Sequence, residues 1–129
     1  MELESQAFNA YIKKDLTTAI SLYKKILSIQ NDFEHGGAWY QLATCYEEAG
    51  QNELAKKAYH NSLEQDSEDY IKLCAYGSFL FQINDTMAAY RIYNKIYNYE
   101  ITNGMDTSNT LLAINELSRK NNLPGADIC

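Results

Sequence analysis

The stretch Trp39-Tyr40-Gln41-Leu42-Ala43-Thr44-Cys45-Tyr46-Glu47-Glu48-Ala49-Gly50 decides how this sequence folds. Trp39, Leu42, Ala43 and Tyr46 fall at i, i+3, i+4 and i+7, which is one apolar stripe of a helix. Gly50 ends that helix, because glycine accepts the left-handed conformation at a helix C-terminus without a Cβ penalty. Five residues further on, Ala55 and Tyr59 open a second helical pattern, Gln51 to Leu63.

That second pattern occurs three times. Asp15 to Leu27 contains Ala19 and Tyr23, Gln51 to Leu63 contains Ala55 and Tyr59, and Asp85 to Tyr97 contains Ala89 and Tyr93. Each alanine is followed four residues later by tyrosine. The steps are 36 residues from Ala19 to Ala55 and 34 from Ala55 to Ala89. A fixed period of this length is the signature of a stacked helical repeat, in which no unit buries its apolar face alone. Small residues pair across each expected helix crossing: Ala7 with Ala19, Ala43 with Ala55, and Gly77 with Ala89. Larger side chains there would force the helices apart.

The pattern resembles the tetratricopeptide repeat, Trp-x2-Leu-Gly-x2-Tyr followed by Ala-x3-Phe and a proline. Trp39, Leu42, Tyr46 and Ala55 match directly, with Ala43 for the glycine and Tyr59 for the phenylalanine. The third repeat keeps Gly77 and Ala89, with Leu73, Tyr76, Leu80 and Tyr93 at the large positions. The first keeps Leu3, Ala7, Ala19 and Tyr23. Asn31, Ser67 and Ile101 stand where the motif has proline. The resemblance implies an all-α fold, a right-handed α-solenoid of three antiparallel helix pairs. The expected repeats are 2–33, 36–69 and 70–101 within a single domain, 1–129. A capping helix is predicted over 107–121, after the Asn103-Gly104 turn and before Pro124-Gly125.

In this family the first helix of each pair lines a concave groove, and the resemblance carries that role to Phe8, Tyr11, Tyr40, Thr44, Glu47, Glu48, Cys74, Ser78 and Phe81. Glu4, Ile12 and Ile71 share those faces, and the cap adds Ser108, Leu112 and Asn115. Phe8, Tyr11, Tyr40 and Phe81 fall outside the repeat's own packing set, and aromatics of this kind anchor interfaces. No lysine or arginine falls on the transferred positions. Some family members clamp a terminal carboxylate with basic residues and asparagine. Here Glu4, Phe8, Thr44, Cys74 and Ser78 stand instead, which argues against a carboxylate-clamp partner.

The net charge of −6 is unevenly placed. Residues 1–33 carry four acids and four lysines, 34–69 carry eight acids against Lys56 and Lys57, and 70–129 carry five of each sign. An acidic middle argues against a nucleic-acid backbone as ligand and suits a basic protein. Glu47 and Glu48, with Glu34 and Asp66-Ser67-Glu68-Asp69, are the acids that would meet it.

Catalytic chemistry is not in evidence. His35 and His60 are the only histidines, and neither has a nucleophile or acid at a telling spacing. Gly36-Gly37 is an isolated pair rather than a phosphate loop. Cys45, Cys74 and Cys129 are widely spaced and odd in number, which fits neither a disulfide framework nor a zinc site. Cys45 and Cys74 read as small apolar helix residues. No metal or cofactor is expected. No apolar run reaches membrane-spanning length, and the acidic start lacks the features of a secretory signal, so the expected compartment is the cytoplasm. The expected function is non-catalytic binding of one protein partner. The alternatives are a dedicated acidic inhibitor of the immunity type, or a chaperone, that neutralises a basic toxin or effector, and a self-assembling scaffold.

Overall fold

The computed structural model describes residues 2–31, 33 and 37–122. All regular structure among them is helical. The α-helices are α1 (Glu2–Ile12), α2 (Leu16–Ile29), α3 (Gly37–Glu48), α4 (Asn52–Gln65), α5 (Tyr70–Gln82), α6 (Thr86–Thr102) and α7 (Ser108–Asn121). They form two compact units that divide between Ser67 and Glu68. In the first, α1 packs on α2, α2 on α3 and α3 on α4; in the second, α5 packs on α6 and α6 on α7.

The pairing follows from the small residues. Ala7, Ala19, Ala43, Ala55 and Ala89 are all fully buried. A Cβ added at Gly77 would lie 3.3 Å from side-chain atoms of Ile92, Tyr93 and Ile96 on α6. The repeat tyrosines Tyr23 and Tyr59 are 2% exposed, so they belong to the core as their spacing implies. Burial of such large side chains supplies most of the stability of helices this short.

The turns within the pairs share one device. Lys14, Gly50 and Asn84 follow α1, α3 and α5 with φ of 64°, 76° and 65°. Each next residue then donates its backbone N–H to the preceding helix: Asp15 to Ala10, Gln51 to Tyr46, Asp85 to Leu80. Asp15 also accepts from the Thr18 N–H, and Asp69 from the Lys72 N–H, capping α2 and α5.

The missing prolines are felt at one helix end. α2 and α4 stop at Ile29 and Gln65, whereas α6 runs through Ile101 to Thr102. An apolar, β-branched residue does not break a helix as proline does. Gly104, at φ 65°, makes the turn. The predicted cap appears as α7, with Ile114 and Leu117 fully buried. His35, Cys129 and Pro124-Gly125 lie outside the described residues.

Candidate functional site

In the first unit, the face made by α1 and α3 carries six of the residues singled out from the sequence. Phe8 and Tyr11 lie one helical turn apart on α1, with ring centroids 6.4 Å apart. Phe8 is 46% exposed and the neighbouring Ile12 is 59% exposed. Tyr11 is half-buried; burial, then the charge of Glu48 on α3, hold its phenol above the ordinary value. Tyr40 meets Tyr59 of α4 edge-on at 6.1 Å. Thr44 donates to the Tyr40 carbonyl oxygen at 3.0 Å.

The two acids on this face are engaged within the chain. The Tyr59 hydroxyl donates to Glu47 Oε1 at 2.7 Å. Burial first, then this bond, push the Tyr59 phenol far above its ordinary value. Lys14 Nζ reaches Glu48 Oε1 at 2.9 Å and lies 5.5 Å from the centre of the Tyr11 ring. The bond to Glu48 raises the Lys14 pKa. A basic side chain therefore stands on a face expected to have none. The cause is local: the left-handed turn after α1 sends Lys14 back across the α1–α3 seam, where its flexible stem spans to Glu48.

In the second unit, Ser78 and Phe81 line a cleft of about 300 Å³ with Tyr93, Leu112 and Glu116. Phe81 meets Tyr93 edge-on at 6.3 Å, and Lys120 Nζ lies 5.3 Å from the Phe81 ring centre. Leu112 is 70% exposed at the edge of this cleft, and Ile71 is 68% exposed elsewhere on α5. Lys120, like Lys14, is a basic group that the transferred positions did not contain. Cys74 sits one turn before Ser78 on α5 and is not among the residues that line the cleft. Burial raises its thiol pKa, and it raises that of the fully buried Cys45 to about 11.

The polar cluster at the start of α5 lies outside the residues singled out from the sequence. The Tyr70 hydroxyl donates to Glu100 Oε2 at 2.7 Å, and Tyr70 stacks on Tyr99 at 4.8 Å. Glu100 is buried. The one available signal was the missing proline, since a longer α6 is what brings Tyr99 and Glu100 to Tyr70. Among the described residues no group of three or more histidine, cysteine or acidic side chains could hold a metal ion. His60 is exposed and pairs with Glu64 at 3.5 Å along its own helix. No helix among the described residues is long and apolar enough to cross a membrane.

The sequence matches the tetratricopeptide repeat family over residues 10–75. The chain belongs to the tetratricopeptide repeat family. Its paired helices superpose on solved tetratricopeptide domains at low sequence identity. Against the Sgt2 domain of Aspergillus fumigatus the TM-score is 0.70 at 24% identity, covering 99% of this chain and 86% of that one. Against the TPR2B domain of yeast Sti1, solved as a complex with pHsp70, it is 0.74 at 11% identity, covering 92% and 95%. Against the Yersinia enterocolitica type III secretion chaperone SycD, solved with a peptide of the translocator YopD, it is 0.73 at 16% identity, covering 93% and 92%. These likenesses show the all-α, helix-pair solenoid class that the tetratricopeptide pattern implies. The tetratricopeptide fold is a non-catalytic, protein-interaction fold. No curated protein matches the sequence.

Proposed function

We propose that this chain is a non-catalytic, cytoplasmic binding module that takes a segment of one protein partner on the α1–α3 face of its first unit. The observation that carries this reading is the exposure of Phe8 and Ile12, at 46% and 59%, beside Tyr11 and Tyr40. Apolar side chains gathered on one face, and not consumed by the core, gain most when a partner covers them. Tyr11 and Tyr40 bring area at low entropic cost, and their hydroxyls orient polar groups of the bound segment. The cleft beside Ser78, Phe81 and Leu112 offers a contact of the same kind on the second unit.

The partner chemistry is apolar with a basic component. Glu47 and Glu48 supply negative charge beside the aromatics while Tyr59 and Lys14 hold them in place. A partner cation competes with Lys14 for Glu48 at the exposed end of the seam. A free terminal carboxylate is a poor ligand for this face. Glu4, Phe8 and Thr44 offer it no cation, and Lys14 is already paired. The solved complexes of Sti1 and SycD with protein partners support the general mode of binding, not the identity of this partner.

The test is affinity capture from native extract, followed by titration of the captured protein against purified wild type and the Phe8→Ala/Tyr11→Ala variant. A loss of about tenfold or more in affinity, with an unchanged helical circular dichroism spectrum, supports the reading. Equal affinity for both proteins overturns it. Concentration-dependent mass with no partner retained would favour self-assembly instead.

A further inference from the structure

A cavity of about 340 Å³ opens between α2 and α4, on the side of α3 turned away from Tyr40 and Thr44. At 3.6 residues per turn, its α3 residues Trp39, Leu42 and Tyr46 lie roughly 150° around the helix from that face. Leu27 and Leu42 close its floor, and Leu54, 47% exposed, stands at its mouth. The Trp39 indole N–H donates to the Asn31 carbonyl oxygen at 2.9 Å, which fixes the ring as a rigid wall.

The charged side chains that line the cavity are of one sign. Among the described residues they are Lys24 and Lys57, with no aspartate or glutamate. Neither lysine makes an ion pair with another described residue. Lys24 lies one turn before Leu27 on α2, and Lys57 one turn after Leu54 on α4, so each cation stands beside an apolar side chain.

We propose that this cavity is a second protein-binding site, specific for a segment that inserts a large apolar side chain and carries an acidic residue beside it. The apolar floor takes the side chain, and a cavity of this size accommodates leucine or an aromatic ring. The carboxylate meets Lys24 or Lys57, which fixes orientation and rejects basic segments by like-charge repulsion. The site is independent of the α1–α3 face and opposite to it in charge preference, so the first unit holds two different segments at once.

The experiment is selection of a random-sequence, phage-displayed peptide library on the purified chain, followed by titration of the enriched peptides. Peptides with leucine or an aromatic next to aspartate or glutamate are expected. They should bind wild type and the Phe8→Ala/Tyr11→Ala variant alike, and lose about tenfold or more against Lys24→Glu/Lys57→Glu. Thermal melting confirms the fold of each variant, and Lys24→Gln/Lys57→Gln replaces the charge reversal if that protein melts early. Enrichment without acidic residues, binding that depends on Phe8 and Tyr11, or no enrichment above an unrelated protein overturns the proposal. So does a dimer by light scattering that falls to monomer in the lysine variant, because the occupant is then a second copy.

Discussion

The Tyr70 hydroxyl donates to Glu100 Oε2 at 2.7 Å, while the other carboxylate oxygen, Oε1, is buried with no hydrogen-bond partner among the described residues. Tyr70 is thus the one identified donor to a carboxyl group that is only 4% exposed. Removing it with Tyr70→Phe leaves that group without this donor and is expected to cost about 1–3 kcal/mol. Adding Glu100→Leu to the same chain removes the stranded polar group and should recover much of the loss. Urea denaturation of the two single variants and the double variant measures the coupling.

Stability should fall at alkaline pH in two overlapping steps. Burial holds the Cys45 thiol at about 11 against an ordinary 9.0, and it holds the Tyr59 phenol above its ordinary 10.0. Folding thus favours the protonated form of both groups. Their contribution is complete below the unfolded values and is lost as the pH climbs past 9 for Cys45 and past 10 for Tyr59. Cys45→Ala should flatten the first part of a stability–pH curve, and Tyr59→Phe the second. Tyr59→Phe also loses its bond to Glu47, at about 0.5–1.5 kcal/mol near neutrality.

Asn84 adopts φ of 65° at the turn where the second repeat has Gly50. Asn84→Gly relieves the Cβ strain of that conformation, and the chain is expected to gain up to about 1 kcal/mol. A rise in melting temperature measures it. The corresponding Lys14→Gly exchange also breaks the bond to Glu48, and its gain should be smaller.

The paired helices were legible because their determinants are local and periodic. Trp39, Leu42 and Tyr46 declare a stripe within one helix, and the Ala-x3-Tyr signature recurs at a nearly constant step. The binding faces were legible only in part. Phe8 and Tyr11 are placed by helical spacing. Lys14 and Lys120 reach their aromatics through a turn and a long side chain, which spacing on the first helices does not register. Glu47 reads as a surface acid until α4 brings the Tyr59 hydroxyl against it. Glu100 reads the same way, and its burial depends on how far α6 continues. Charge summed along the chain also does not register that Lys24 and Lys57, 33 residues apart in sequence, line one cavity.

Gly77→Val tests the close approach of α5 and α6. Its first added carbon would meet Ile92, Tyr93 and Ile96 at 3.3 Å, already tighter than ordinary van der Waals contact before the branched methyls are added. A loss of about 1–3 kcal/mol is expected from overpacking, read by denaturant midpoint.

Thiol alkylation followed by peptide mass mapping should separate two cysteines of the helices. Cys74 is partly exposed and Cys45 is fully buried, so Cys74 is modified in the native protein while Cys45 is protected until it unfolds. Equal labelling of the two at neutral pH would contradict the packing of α3 described above.

α7 stands against α6 as α3 stands against α2, and it contributes Ile114 and Leu117 to the core, with no second helix of its own among the described residues. It is half of a repeat. A further Ala-x3-Tyr helix grafted beyond Asn121, with the exposed face of α7 made apolar to receive it, should lengthen the protein by one module. In that sense the chain's length is adjustable in whole helices, and the number of surfaces it offers can be changed without rebuilding the ones it already has.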